Sequence, residues 1–249
     1  MKIRHAFPIA AFFFAVAATA QTQTYHGNGA AGLGGAIGNG SLIISDSLSG
    51  MNITLNPGSG GLNYDCVLYL DTQPGGFPDT SQFMDNASGA QEAISGYNGG
   101  NPSQTVATFP AGFGADYAIS IENSSIGVYR LAAGGNGSFN FLFSQSQSAG
   151  PAGPLGISLT PAGMSQIGLT VGSGQTFSFV GSLITESAYR GNETFGPSIT
   201  APDSNAGFTG SQVFTGDFSY TLAQAVPEPG TATLLGLGLA GLLSSRRRK

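Results

Sequence analysis

The most strand-like window of the chain is Asn63-Tyr64-Asp65-Cys66-Val67-Leu68-Tyr69-Leu70-Asp71. Because side chains alternate between the two faces of a strand, the even-numbered residues from 64 to 70 share one face and the odd-numbered residues share the other. The even-numbered face carries Cys66 and two leucines, and we expect it to be the core face. Turn residues at 74–78 end the window. The window therefore predicts a β-strand with one face in the core.

Further strand candidates lie on both sides of this window, each bounded by Gly, Pro, Asn or Ser. They lie at 42–45, 51–55, 105–109, 117–122, 126–132, 138–144, 156–159, 166–171, 176–184 and 212–222. Apolar residues recur near helical spacing at 81–94, which predicts one helix with candidate caps at 79–81. The pattern predicts a mainly β fold, an antiparallel β-sandwich or jelly roll, with at most one short helix.

The chain is expected to have four parts. They are a signal peptide at 1–20, a glycine-rich segment at 21–40, a β-sandwich domain at 41–224 and a sorting and anchor segment at 225–249. The stretch 26–40 contains seven glycines and reads as a loop-forming segment. The region between the two ends is long enough for one sizeable core, so a single domain is expected.

The first twenty residues have the three parts of a secretory signal peptide. Lys2 and Arg4 form a basic start, residues 6–17 are mostly apolar, and Ala18-Thr19-Ala20 is an A-x-A cleavage site. We expect passage through the Sec translocon and cleavage by signal peptidase after Ala20. The alternative is an uncleaved anchor, for which the apolar stretch is short.

The chain ends in a stiff peptide, an apolar run and a basic cluster. Val226-Pro227-Glu228-Pro229 precedes the apolar residues 231–243, and Arg246, Arg247, Arg248 and Lys249 close the sequence. The two prolines fix φ and hold the peptide extended. As a helix the apolar run spans roughly 20 Å, less than the ~30 Å hydrocarbon core, which predicts one short hydrophobic helix and a transient inner-membrane anchor. Because basic residues stay on the cytoplasmic side, the body is expected outside.

This tail resembles the PEP-CTERM sorting signal of Gram-negative bacteria. Pro227, Glu228 and Pro229 stand at the three motif positions, followed by the hydrophobic stretch and the basic end in the family's order. The resemblance implies that exosortase, a membrane-embedded transpeptidase-like enzyme, processes the chain on its way to the cell surface or extracellular matrix. It covers the tail alone and implies sorting without describing what is sorted. An ordinary tail anchor behind a proline-rich linker is the alternative.

The region between the two targeting segments is strongly acidic. From residue 21 to residue 225 the sequence has twelve acids but only two cations, Arg130 and Arg190, a formal charge of −10. Such a surface repels phosphate backbones and anionic lipid headgroups, which argues against nucleic acid and peripheral membrane binding. Cations and neutral polymers such as exopolysaccharide are the expected partners.

Conventional catalytic groups are scarce in the body. It has one histidine, His26, and one cysteine, Cys66, too few for a zinc site or a nucleophilic triad. We expect Cys66 to be buried, His26 to be solvated, and the protein not to be an enzyme. Glycoside hydrolysis needs only a carboxylate pair, for which Asp116, Glu122, Glu186 and Glu193 are candidates. The absence of tryptophan disfavours a sugar-cleaving cleft.

A calcium ion is the one cofactor that the sequence raises. Four aspartates lie near one another in sequence, at positions 65, 71, 79 and 85, and hard cations take carboxylate oxygens. Asp71 and Asp79 are the candidate ligands. The sequence has no D-x-D-x-D-G loop, so the pattern is weaker than that of an EF-hand.

Two segments, 63–77 and 112–119, loosely resemble β-sandwich domains of other secreted bacterial proteins, some of them appended to carbohydrate-active enzymes. The resemblance implies that Tyr69, Phe77, Tyr97 or Tyr117 offers a stacking face to sugars; the alternative is that they are core aromatics. The sequence is compatible with three functions: a structural biofilm component associated with exopolysaccharide, a carbohydrate-binding surface module, and a secreted hydrolase with a carboxylate pair.

Overall fold

The computed structural model describes residues 16–17, 20–197, 205–227, 236 and 239. Between residues 20 and 227 the described ranges contain two short helices, α1 (Gly89–Ser95) and α2 (Pro161–Gln166). The strands are β1 (Val16–Ala17), β2 (Gln21–His26), β3 (Ser41–Ser47), β4 (Gly50–Asn56), β5 (Asp65–Asp71), β6 (Tyr97–Asn98), β7 (Ser103–Gln104), β8 (Val106–Thr108), β9 (Tyr117–Ile121), β10 (Ser125–Arg130), β11 (Asn140–Ser146), β12 (Leu155–Leu159), β13 (Thr176–Ile184), β14 (Arg190–Phe195), β15 (Ser211–Val213), β16 (Phe218–Thr221) and β17 (Val226–Pro227).

Two antiparallel sheets dominate the architecture. The smaller has the order β12-β4-β3-β2, and the larger has the order β11-β10-β9-β5-β13-β14. Strand β16 also belongs to the larger sheet, because it pairs with the first half of β13 while β14 pairs with the second half. The predicted mainly β fold is confirmed.

The main core lies between the two sheets. Leu42 and Ile53 of the smaller sheet share one buried cluster with Leu68, Ile119 and Phe179 of the larger sheet. Two antiparallel sheets that bury a common core are consistent with a β-sandwich.

A second core covers the opposite face of the larger sheet. Val67 and Tyr69 of β5 are buried there with Ile94 of α1 and with Phe83 and Phe109 from the loops. Strand β5 is therefore buried on both faces, and the expectation of a single core face was too narrow. Asp65, on the second face, is only 1% exposed, whereas Tyr64 lies outside the strand and is 39% exposed.

The predicted helix at 81–94 is much shorter than expected. Ser88 is its N-cap, with an extended backbone and a side chain that accepts from the N–H of Gln91, so α1 starts at Gly89. The prediction of caps at 79–81 was wrong. The helix ends at Gly96, whose φ of 68° is left-handed.

The prediction of at most one short helix was also wrong. Thr160 caps α2 by accepting from the N–H of Gly163, and Pro161 occupies the first turn, where its missing donor costs nothing.

The strand predicted at 166–171 is absent, because α2 ends at Gln166 and a turn follows it. Ile167 and Leu169 reach the main core from that turn. Their apolar character is explained by burial without a strand.

Most other strand predictions are confirmed, and β13 has the predicted bounds. The predicted strand at 212–222 is two strands, β15 and β16. Strands β2 and β14 were not predicted. Their sequences, Gln-Thr-Gln-Thr-Tyr-His and Arg-Gly-Asn-Glu-Thr-Phe, lack an apolar alternation.

No helix in the described ranges is long and apolar enough to cross a membrane. The predicted hydrophobic helix at 231–243 lies outside the described residues, apart from positions 236 and 239.

The glycine-rich segment is held on the sandwich by one buried carboxylate. Glu193 of β14 is fully buried, and its Oε1 accepts the N–H groups of Leu33 and Gly35, each at 2.8 Å. Its Oε2 accepts those of Ile37 at 3.1 Å and Gly38 at 3.3 Å. Glycine is required at position 38, where a Cβ would lie 1.9 Å from the carbonyl oxygen of Ala30. The glycines thus let a loop backbone wrap around a carboxylate.

We predict that Glu193→Gln lowers the free energy of unfolding by about 3 kcal/mol, because the amide presents an NH₂ group to backbone donors and leaves them unsatisfied. Urea denaturation measures the change. Glu92→Gln is the matched control, since Glu92 is half-buried and its Oε1 accepts one backbone N–H, from Gly99 at 3.0 Å. Equal effects of the two substitutions would contradict the assigned role of Glu193.

Candidate functional site

Most buried acids in the described part of the chain accept hydrogen bonds from backbone N–H groups. Asp85 accepts the N–H groups of Gly137 and Phe139, each at 2.7 Å. Asp46 accepts the hydroxyl of Tyr220 at 2.7 Å and the N–H of Ala223 at 2.9 Å. These carboxylates, like Glu193, tie loops and distant strands to the sandwich, which is a structural role.

One group of acids departs from this pattern. Asp65 is the first residue of β5, Glu122 directly follows β9, and Glu186 lies two residues beyond β13. Strand β5 lies between β9 and β13, with Cys66 opposite Ile121 and Asp65 opposite Ile184. Three adjacent strand ends therefore place three acids together, and one oxygen of each lies within 4.8 Å of the others. We call these three residues the acidic cluster.

Asp65 is the buried member of the acidic cluster. Its Oδ2 is buried and has no hydrogen-bond partner within the described residues. Burial, together with the negative charges of Glu122 and Glu186, raises the pKa of this carboxyl from 3.8 to about 8. At neutral pH without a cation, Asp65 is therefore largely protonated.

The other two members connect Asp65 to solvent. Glu122 is half-buried, and its pKa is raised by burial and by the negative charge of Glu186. The Ser125 hydroxyl donates a hydrogen bond to Glu122 Oε2 at 3.4 Å, which lowers the pKa and offsets part of this rise. Glu186 is exposed. The cluster is thus open on one side and closed on the other.

The two body arginines serve other partners. Arg190 is fully buried and donates to the hydroxyls of Ser182 at 2.8 Å and Tyr69 at 3.4 Å. Arg130 is exposed, and its charge lowers the pKa of Asp116 against the larger effect of burial. Carboxylates this close together without an arginine or lysine either share protons or bind a hard cation.

The structure brings together only some of the acids that the sequence suggested as a carboxylate pair. Of the carboxylate-pair candidates, Glu122 and Glu186 come together, while Glu193 binds the glycine-rich loop and Asp116 accepts the N–H groups of Thr72 and Gln73. Strand pairing was the missing signal, because it brings Asp65 beside residues far from it in sequence.

The two calcium candidates from the sequence each have protein donors. Asp71, at the far end of β5, accepts the N–H of Gly114 at 3.0 Å. Asp79 accepts the N–H and hydroxyl of Ser81. Among the described residues, neither belongs to a group of three or more potential metal ligands, whereas Asp65 does.

The remaining candidates lie elsewhere. Cys66 is fully buried, and burial raises the pKa of its thiol, with Asp65 adding to the effect, so the thiol is an inert core group. His26 is exposed at the edge of a cleft of about 490 Å³ between β2 and β16, which Gln23, Asp217 and Phe218 also line. A second cleft of about 360 Å³ lies beside Asp71.

Two of the four aromatic residues considered for sugar stacking are core residues. Tyr69 and Tyr117 are buried, at 0% and 4% exposure. Phe77 is half-buried and packs edge-on against Phe83, with the ring centroids 4.8 Å apart. Tyr97 is half-buried in β6.

The targeting motifs are only partly described. Ala20 is exposed and directly precedes β2. Val226, 56% exposed, and Pro227 form β17, which pairs with β1. Ala18, Glu228, Pro229 and the basic cluster at 246–249 lie outside the described residues.

Comparison with known protein families identifies the tail. Residues 225–249 match the family model of the PEP-CTERM protein-sorting motif. The match confirms the prediction from the tail: the chain carries a PEP-CTERM motif and is an exported substrate of exosortase. Neither the curated proteins nor the solved structures contain a match to the chain.

We predict a specific pH dependence of stability in the presence of a chelator. The folded-state pKa of Asp65 lies above its ordinary value, so the stability from its bound proton is complete below pH 4 and is lost as pH rises towards 8. In that window Asp65 alone lowers the unfolding free energy by up to about 1.4 kcal/mol per pH unit.

Urea denaturation from pH 4 to pH 8 checks this prediction by comparing the wild type with Asp65→Asn. The unfolding free energy of the variant should fall less steeply with pH than that of the wild type. A residual pH dependence should remain in both proteins, because the pKa values of Asp71, Asp116 and Glu122 are also raised. Parallel curves for the two proteins would show that Asp65 titrates normally.

Proposed function

We propose that this exosortase substrate is a non-catalytic structural protein of the cell surface or extracellular matrix of a Gram-negative bacterium, associated with exopolysaccharide in a biofilm. The observation that carries the proposal is the PEP-CTERM motif at 225–249 behind an acidic, lysine-free β body. The motif defines the export route, and the body defines what is delivered.

Access of a membrane enzyme to the tail is supported by the residues that precede the motif. Strand β16 ends at Thr221, Val226 is exposed, and only a few residues separate the sandwich from Pro227, Glu228 and Pro229. In the proposed route, signal peptidase removes residues 1–20, and the apolar run holds the chain in the inner membrane with Arg246, Arg247, Arg248 and Lys249 in the cytoplasm. Exosortase then processes the tail and releases the body from the periplasm to the surface.

The body suits a matrix rich in neutral polymer. Its formal charge of −10 opposes binding to nucleic acid and anionic lipid. The edge strand β2 exposes Gln21, Thr22, Gln23 and Thr24, whose uncharged polar groups hydrogen-bond sugar hydroxyls without ionic cost. These features support association with exopolysaccharide.

The absence of enzymatic activity is part of the proposal. Cys66 is buried with a raised pKa. Glu122 and Glu186 come together, but in a cluster with the buried carboxyl of Asp65. The clefts beside β2 and Asp71 are lined by residues outside the acidic cluster. A secreted glycoside hydrolase with a carboxylate pair is therefore the least supported of the three functions.

A carbohydrate-binding surface module is the second candidate. The cleft between β2 and β16 combines the polar groups of Gln23, His26 and Asp217 with the half-buried ring of Phe218. Polar groups beside an aromatic ring are the usual composition of a sugar site.

We predict that Pro227→Ala with Glu228→Ala leaves the unprocessed chain in the inner membrane, because the stiff recognition peptide is lost while the apolar run remains. Cell fractionation and intact mass measure location and processing. The control, Thr231→Ala with Thr233→Ala, changes neighbouring residues, keeps the motif and should reach the surface without residues 246–249. Surface display of the motif variant in its processed form would refute sorting by this motif.

A binding experiment separates the two surface functions. We predict that Gln23→Ala with His26→Ala leaves cosedimentation of the chain with purified host exopolysaccharide unchanged, because a structural component contacts the polymer over much of its surface. Both side chains are exposed, so the fold should persist. Loss of saturable binding in this variant would favour the carbohydrate-binding module.

A further inference from the structure

We propose that Asp65, Glu122 and Glu186 bind one calcium ion, which joins the ends of three adjacent strands of the larger sheet. Three acids close together are not in themselves a metal site. In this cluster, however, Asp65 Oδ2 is buried and has no hydrogen-bond partner among the described residues.

Asp65 differs from the other buried acids of the described chain in its hydrogen bonds. Four N–H groups surround the carboxylate of Glu193, and three, from Ala87, Gly137 and Phe139, surround that of Asp85. Buried carboxylates with a purely structural role, such as Glu193 and Asp85, are thus surrounded by backbone N–H donors in this fold. It supplies none to Asp65 Oδ2. An oxygen that is desolvated and left without a donor is in the state that a cation ligand requires.

Ligand chemistry favours calcium. Two oxygens on opposite sides of a Ca²⁺ ion, each about 2.3–2.6 Å from it, are separated by up to roughly 5 Å, so oxygens that lie within 4.8 Å of one another can share this ion. Mg²⁺ demands near-ideal octahedral geometry, keeps several of its waters and is usually held by one or two carboxylates rather than three. Zinc prefers nitrogen and sulfur ligands, and Cys66, the neighbour of Asp65, lies on the other face of β5.

The surroundings of the acidic cluster also suit a calcium ion. Three carboxylates supply up to six oxygens, and the exposed position of Glu186 leaves room for water ligands. The Ser125 hydroxyl holds Glu122 in position. Export places the body where calcium modules with dissociation constants of about 10⁻⁴–10⁻³ M are used. The ion would offset part of the body's negative charge and fasten β5 to β9 and β13.

Calorimetric titration of the chelator-treated full chain with calcium chloride alone tests the proposal. We expect one calcium ion per chain, a thermal midpoint that rises with calcium, and weaker binding of magnesium. Asp65→Asn, Glu122→Gln and Glu186→Gln should each weaken calcium binding about tenfold or more. Because Glu186 is exposed, Glu186→Gln keeps the test valid even if a buried substitution prevents folding.

The control is Asp217→Asn, which removes a half-buried acid near Asp71, at the other end of β5. It should bind calcium like the wild type. Absence of binding by the wild type at 10⁻² M calcium, or equal binding by the control and all three cluster variants, would overturn the proposal. Neither outcome would bear on sorting by the tail.

Discussion

The main constraint on this structure is that its body has very few cationic side chains to pair with its buried carboxylates. Twelve acids and only two arginines lie between residues 21 and 225, and one arginine, Arg190, is buried against hydroxyl groups. A buried carboxylate must be paired, hydrogen-bonded or protonated, since desolvating its charge is costly. In this fold backbone N–H groups take the place that lysine and arginine fill in most proteins. Glycine-rich loops are the consequence, because they let the backbone approach a carboxylate closely.

This constraint links sequence to architecture. Glu193 orders the glycine-rich loop, Asp85 joins the loops around 87 and 137–139, and Asp46 ties the smaller sheet to the end of β16. Both faces of the larger sheet are therefore buried, one by the smaller sheet and one by loops held in this way. The acidic cluster is the place where the backbone provides no donor for Asp65 Oδ2, and there the same logic calls for a proton or a metal ion.

Local patterns predicted the strands that have apolar residues, and β13 was predicted to the residue. They missed β14, because its buried Arg190 and Glu193 give no apolar alternation and are stabilised by partners far away in sequence. They placed the helix start too early, since the capping by Ser88 outweighs the apolar spacing before it. The sequence contained every acid of the cluster, but only strand pairing places Asp65 between Glu122 and Glu186. The tail was readable because its signal is local and linear.

Export and the body's chemistry fit together. A protein delivered outside the cell with one cysteine cannot be stabilised by an internal disulfide, and buried carboxylate networks with a bound ion provide another route. The most direct measurement is a high-resolution crystal structure of the exported protein grown with calcium chloride. We expect backbone N–H donors around Glu193 and Asp85, and an ion about 2.3–2.6 Å from an oxygen of each cluster residue. A structure in which Asp65 Oδ2 accepts a protein hydrogen bond and the cluster holds no ion would contradict this expectation.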